Sequence, residues 1–309
     1  MPDTPFAWAY QDGALVPYEA LTIHAESMAM RYGLSAFEGI RAYVPHEGGG
    51  VRCFALEEHA ARLDRTLELV GFRPIEPGSV ARAAAALIEA NGASGDCYLR
   101  VAVNATSLGT LKAEPRTALS ASLQPMGRRP WLASGVPLAV AISSRQKPPD
   151  EVFPQCAKVV SNYAGPRLAF LEAQKAGFDD VVLTTIDGRL SEAPTANLFL
   201  VHGTRLSTPR VGDAILPGIT RAFVLRIAAE LGLTAEERPL VREDAYAASE
   251  AFLCGTGLEF AKISRFDDRT LPADAAVLSQ IVSRYFDVVR GAQGAGKDLR
   301  WSSSIAHAG

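Results

Sequence analysis

Hydrophobic and polar positions along the first hundred residues switch between two periods. FAWAY and ALVPY flank the Asp12-Gly13 pair, a strand–turn–strand pattern. Residues 31–43, RYGLSAFEGIRAY, run on through PHEGGG into VRCFAL, which predicts a hairpin with a glycine-rich loop. EEHAARLDRTLELVG then takes up a helical period. Its acidic start suits a helix N-terminus, Ala60, Leu63, Leu67 and Val70 form one face, and Gly71 is the stop. SVARAAAALIEANG at 79–92 predicts a second helix, and CYLRVAV at 97–103 a strand.

Residues 125–135, PMGRRPWLASG, break the pattern with Pro, Gly and Arg and read as a linker. Beyond it the pattern predicts a strand, VPLAVAI at 136–142, then a polar loop, SSRQKPPDEVFP. PRLAFLEAQKAGF at 166–178 is helical, with Pro166 in the first turn and Gly177 as cap. DVVLTTI and RLSEA flank an Asp-Gly pair as a hairpin, NLFLV is a strand, and ITRAFVLRIAAELGL at 219–233 is a long helix. Strands and helices mix throughout, so the expected class is mixed α/β (α+β) in two domains. The expected bounds are 1–124, a linker at 125–135, a second domain at 136–290, and a core-poor tail at 291–309.

Composition narrows the function. The chain of 309 residues carries a net charge of −3 and no basic stripe, which argues against nucleic acid and anionic membranes as partners. Cys53, Cys97, Cys156 and Cys254 lie far apart without a CxxC pair, as expected of reduced thiols in a cytoplasmic protein. The N-terminus lacks the charged and apolar regions of a signal peptide, and no apolar run is long enough to span a bilayer. His24, His46, His59, His202 and His307 include no i, i+4 pair, so no metal is expected. Residues 291–297, GAQGAGK, match a phosphate-loop spacing, but Asp298 follows where Ser or Thr is needed, and a helix end precedes it rather than a strand.

RYGLSAFEGIRAY is too charged for a core strand and too aromatic for a surface loop, and so reads as a pocket wall. Only six of the 31 basic residues are lysine: Lys112, Lys147, Lys158, Lys175, Lys262 and Lys297. A lysine among apolar neighbours therefore stands out, and Lys158 in QCAKVVSNY is one. It either snorkels out of a strand end or is shifted by burial toward a neutral amine able to condense with an aldehyde. Glu192 and Asn197, in RLSEAPTANLF, read alone as turn residues. LPGITR at 216–221 places Pro-Gly before a helix with Thr220 at its start, which is either an ordinary cap or an anion site. CGTGLE at 254–259 offers a second glycine-flanked threonine, and Arg62 a charged fork. An amine for an aldehyde, two threonine turns and an arginine for a phosphate, and an acid for a ring nitrogen together fit one cofactor, pyridoxal 5'-phosphate (PLP).

Seven separated motifs occur here in one order: RYGLSAFEGIRAY, EEHAARL, CYLR, AKVVSNY, SEAPTANLF, LPGITR and CGTGLE. In these, from about residue 8 to about residue 290, the chain resembles the fold-type IV PLP enzymes, and among them the branched-chain amino acid aminotransferases. The resemblance implies a two-domain fold like that of D-amino acid aminotransferase. It implies transamination of L-leucine, L-isoleucine and L-valine with 2-oxoglutarate in a homodimer. Lys158 would carry the cofactor and move the proton between Cα and C4′. Tyr163 would bond the phenolic oxygen and Glu192 the ring nitrogen, with Asn197 behind it. Arg62, Ile219, Thr220 and Thr256 would hold the phosphate. Tyr32, Phe37, Gly39, Arg41, Tyr98, Arg100 and Gly257 would line the substrate pocket, with Arg41 and Glu38 on the alternate face or at its edge. The chain departs from the family pattern after Arg100 (VAVNATSLGTLKAEPR), after the lysine (Val-Val-Ser), at Ala193-Pro194-Thr195 and at Gly257, where the family commonly has Ala. These departures leave open, on the same fold, a D-amino acid or (R)-amine transaminase or an aminodeoxychorismate lyase, and outside catalysis a binding protein that retains the fold. The intact set of Lys158, Tyr163, Glu192 and Arg62 argues against the last.

Overall fold

The computed structural model describes residues 5–291. The expected tail beyond Gly291, including Lys297, His307 and nearly all of GAQGAGK, lies outside the described residues. The chain divides into two compact units, with the break at Gly127/Arg128. Among the described residues, Ala157–Ser161 and residues 287–291 cluster with the first unit, and Arg128–Cys156 with Asn162–Phe286 make the second.

The first unit is built on a six-stranded antiparallel sheet: β1 (Trp8–Gln11), β2 (Ala14–Pro17), β3 (Ser35–Tyr43), β4 (Arg52–Cys53), β5 (Cys97–Ala105) and β6 (Thr117–Pro125). Its order is β2-β1-β6-β5-β3-β4. The β1–β2 turn needs two left-handed residues, and Asp12 (φ 45°) and Gly13 (φ 94°) supply them. Helix α1 (Met28–Tyr32) is capped by Ser27 and ends at left-handed Gly33. Helices α2 (Leu56–Leu69) and α3 (Ser79–Ala90) pack on the sheet through Leu63, Leu67, Ala83 and Leu87. All nine residues of β3 are buried, charged ones included. The buried face of α2 is not purely apolar, since His59, Arg62 and Thr66 lie on it while Ala60 and Val70 are only half-buried. The i, i+3, i+7 spacing of those three polar residues places them on one stripe.

The second unit holds α4 (Pro130–Ser134), β7 (Leu138–Gln146), α5 (Ala164–Lys175), β8 (Asp180–Thr184), β9 (Asn197–His202), β10 (Arg205–Thr208), α6 (Ile219–Glu230), β11 (Thr234–Glu237), α7 (Arg242–Tyr246), β12 (Glu250–Gly255), β13 (Glu259–Phe266) and β14 (Arg269–Thr270). Helix α8 (Ala276–Val289) follows. The eight-stranded sheet runs β11-β10-β9-β12-β13-β7-β8, with β14 paired to β13, and mixes parallel and antiparallel pairs. Two local expectations change. Strand β7 continues through the expected polar loop to Gln146, which pairs with Thr184 after a register shift. The Asp187-Gly188 turn forms and its return leg comes back along β8, with the Thr185 N–H donating to the Arg189 carbonyl, the Ser191 N–H to the Leu183 carbonyl and the Leu183 N–H to the Glu192 carbonyl, but apart from the Thr184↔Leu190 bridge it forms no regular strand. The Leu190 N–H goes instead to the Leu240 carbonyl at 2.7 Å, so the segment carrying Glu192 stays a buried loop.

Candidate active site

In the first unit the strand pleat sorts the RYGLSAFEGIRAY residues onto two faces. Phe37, Gly39 and Arg41 share one face with Ala102, Arg100 and Tyr98, their respective partners in the β3–β5 register. Glu38 points to the other face. Arg41 is therefore not on the alternate face: the period of two puts it with Phe37 and Gly39. Arg41 is 1 % exposed, and its guanidinium donates to the Gly127 carbonyl at 3.0 Å and lies 5.2 Å from the Tyr43 ring centroid. Gly39 is required by a close approach. A Cβ there would meet the Tyr98 hydroxyl at 1.9 Å and its ring at 2.6 Å. The Arg100 guanidinium sits 4.2 Å from the Phe37 ring centroid, within cation–π reach. Tyr32 closes α1, half-buried, with the Arg31 guanidinium 5.2 Å from its ring centroid.

Lys158 lies on this same unit. Val159 bridges to Ala36, the Phe37 N–H donates to the Lys158 carbonyl at 3.0 Å, and Thr66 Oγ1 accepts from the Lys158 N–H at 3.3 Å. These contacts fix the backbone on both sides of the lysine. Its Nζ stands 4.8 Å from the Phe37 ring centroid. Beneath it, on the opposite face of β3, Glu38 is fully buried. It accepts from Arg62 Nε at 2.7 Å and Nη2 at 2.8 Å, and pairs with His59 Nδ1 at 2.7 Å. Burial pushes Glu38 up, but the Arg62 charge, aided by its hydrogen bonds and by His59, wins and holds the carboxyl well below the usual carboxylate range. Burial pushes His59 down from its usual value, only partly offset by Glu38, so the ring is held neutral. His59 Nε2 has no hydrogen-bond partner among the described residues.

In the second unit the buried loop, the start of α6 and the β12–β13 turn hold the remaining candidates. Glu192 Oε1 accepts from Lys147 Nζ at 2.5 Å and from the Leu216 N–H at 3.0 Å, and Oε2 accepts from Asn197 Nδ2 at 2.9 Å. Asn197 also donates to the Leu216 carbonyl at 3.0 Å, which ties the start of β9 to the approach to α6. Gly218 is the N-cap of α6 and no side chain caps it. A Cβ at 218 would meet Asn197 Oδ1 at 1.9 Å, so only glycine fits. Ile219 and Thr220, both buried, are the first two residues of the helix. Arg221, also buried, anchors this helix start by donating to the Pro209 carbonyl at 2.7 Å and to Glu237 at 2.5 Å. Thr256 is half-buried and Gly257 exposed in the β12–β13 turn. The preceding Gly255 lies against the Thr195 carbonyl, so this turn sits beside the Glu192 loop. Half-buried Tyr163 is the N-cap of α5.

Chemically, the second unit offers a buried carboxylate and an uncapped helix N-terminus suited to an anion. The first offers an anchored lysine beside an aromatic and an arginine. Sequence reasoning missed Lys147, His59 and Thr66. The scarcity of lysine was a signal for the first, and the shared helical stripe with Arg62 for the other two. Among the described residues no cluster of His, Cys, Asp or Glu could hold a metal ion, and no helix is long and apolar enough to cross a membrane.

Residues 35–266 match the model of the amino-transferase class IV family. A branched-chain-amino-acid aminotransferase of Escherichia coli K12 is 30% identical over 266 residues, 83% of this chain and 84% of that protein. The structure of a branched-chain aminotransferase from Thermoproteus uzoniensis with norvaline superposes with a TM-score of 0.90 at 29% identity, over 96% of this chain and 99% of that one. A branched-chain amino acid aminotransferase from Thermobaculum terrenum in its PLP form gives 0.88 at 28% identity, over 97% and 98%.

Proposed function

The chain belongs to the amino-transferase class IV family, and on that premise we propose that it is a PLP-dependent transaminase of L-branched-chain amino acids with 2-oxoglutarate as acceptor. The observation that carries this reading is Glu192, a buried carboxylate held by three donors in the same unit as the uncapped, glycine-cleared start of α6. That donor set fits PLP: an acceptor for a ring N–H, and backbone N–H groups with the Thr220 and Thr256 hydroxyls for a phosphate. Gly218, where a Cβ would strike Asn197, keeps that cradle open.

When bound, PLP supplies an aldehyde carbon that takes up the amino group and a ring that absorbs the electrons freed at Cα. The chain's residues do the rest. Lys158 holds the cofactor through Nζ. The free amine of Lys158 would take the Cα proton and return it at C4′. Glu192 keeps the ring nitrogen protonated, and Asn197 holds Glu192. Tyr163 donates to the phenolic oxygen. Ile219, Thr220, Thr256 and Arg62 hold the phosphate, and Glu38 orients Arg62. Phe37 and Tyr32 give apolar walls for a branched side chain, with Gly39 leaving room. Tyr98 and Arg100 serve carboxylate recognition and Gly257 the pocket edge, while Arg41 is buried against the Gly127 carbonyl and Tyr43. The catalytic assembly is a cytoplasmic homodimer whose second domain, 136–290, carries most cofactor contacts.

The test is the visible spectrum of the purified holoenzyme during single half-reactions. L-Leucine bleaches the yellow protein and D-alanine does not. Bleaching by D-alanine alone would move the enzyme to the D-amino acid branch, and a colourless protein that gains no colour with PLP would refute the reading.

A further inference from the structure

Lys147 has no place in the roles assigned above, yet its side chain is 6 % exposed and its Nζ lies 2.5 Å from Glu192 Oε1. It follows the last residue of β7, its N–H donates to the Thr184 carbonyl at 2.8 Å, and Pro148 comes next. Proline restricts the residue before it to extended backbone, so the lysine is aimed by its strand and by its successor. A buried ion pair is a poor source of stability, because desolvating both charges offsets most of their attraction. The lone pairs of Glu192 suggest another purpose. A carboxylate offers about four acceptor positions. Lys147 Nζ and the Leu216 N–H occupy both positions of Oε1, and Asn197 Nδ2 occupies one of Oε2. One position remains, on Oε2.

We propose that Lys147 is a positioning residue for the ring nitrogen of PLP. By saturating Oε1 it leaves the free lone pair of Oε2 as the sole acceptor, and by meeting the negative charge at Oε1 it keeps the proton of the shared N–H···O bond on nitrogen. This rests on the reading of Glu192 as the partner of the ring nitrogen. A proton moved to Glu192 would leave Lys147 facing a neutral acid in a buried site, and the close ammonium opposes that transfer.

The test is the nitrogen-15 resonance of ring-labelled PLP bound to wild type, Lys147→Arg, Lys147→Gln and Lys147→Met. Wild type and the arginine variant are expected to show a protonated ring nitrogen. The glutamine and methionine variants are expected to shift toward neutral pyridine, with kcat lower by about 10- to 100-fold and KM for L-leucine little changed. Glutamine retains a hydrogen-bond donor at Oε1, so the comparison holds if the methionine variant does not fold. A wild-type resonance in folded Lys147→Gln, or an equal shift in Lys147→Arg, would overturn the proposal. Failure of the wild type itself to bind PLP would overturn the function, and this inference with it.

Discussion

Replacing Glu38 by alanine removes the carboxylate that accepts from Arg62 and pairs with His59. All three side chains are at most 5 % exposed, so water cannot take the place of the lost acceptor. Arg62 would then sit beneath β3 as a buried cation without that counter-charge. Breaking a buried pair from one side costs about 3–5 kcal/mol. The His59 contact belongs to the same network and is not added on top. A loss of this size lowers the melting temperature by about 10 °C for a protein with units of this length. The assay is urea and thermal unfolding of the PLP-free protein, paired with PLP titration. Because Arg62 is aimed by Glu38, PLP affinity is expected to fall alongside stability. A cycle with Arg62→Leu and Glu38→Leu separates the pair from its members: the double variant recovers much of what either single variant loses, since two apolar residues leave no charge behind. A single-variant loss below about 1 kcal/mol, or a double variant as unstable as the sum of the singles, would refute the network as described.

The same network predicts an acid response. Folding holds His59 neutral, whereas the unfolded chain protonates it near pH 6.5, so stability begins to fall as pH drops below about 6.5. Glu38 is held well below its unfolded value of about 4.5, so its stabilisation, fully present above that pH, is lost as pH falls further. In His59→Gln the first loss should vanish from melting temperature against pH, and an unchanged profile would contradict the assignment. Lys158→Ala should abolish turnover with the far-ultraviolet circular dichroism unchanged, and residual wild-type activity would remove its role. Glu192→Gln should retain PLP yet slow Cα proton transfer by at least about 100-fold, read from the deuterium isotope effect on the half-reaction. Gly39→Ala pushes the Tyr98 hydroxyl about 1.5 Å to reach ordinary contact, a misplacement of the order that costs about 100-fold in kcat/KM. Kinetics within twofold of wild type would remove Tyr98 from the pocket.

Part of the candidate site is legible in the sequence where a residue type clashes with its neighbours. Lys158 stands among apolar residues in a lysine-poor chain, and Pro-Gly before a long helix is either an ordinary cap or an anion site in the sequence, with no side-chain cap in the structure. What was hidden depends on partners from other elements. Glu38 meets His59 and Arg62 across 21 and 24 residues, and nothing in FEGIR states that its acid turns toward a helix. His59 was set aside for want of a second histidine, yet its value lies in a carboxylate. Arg41 meets a carbonyl 86 residues away. Lys147 was masked because SSRQKPP has the composition of a loop, while its neighbours extend β7 by pairing with β8. The apolar face assigned to α2 contained Leu63 and Leu67 correctly but missed the polar stripe, because a helix that builds a site buries polar groups a pattern of hydrophobicity counts as exposed.

Lys147 is buried and Lys158 half-buried, and the covalent link to the cofactor is assigned to Lys158. Borohydride reduction of the yellow holoenzyme followed by peptide mass mapping decides between them. A pyridoxyl mass is expected at Lys158 with Lys147 unmodified; a label on Lys147, or on no lysine at all, would contradict the assignment of Lys158.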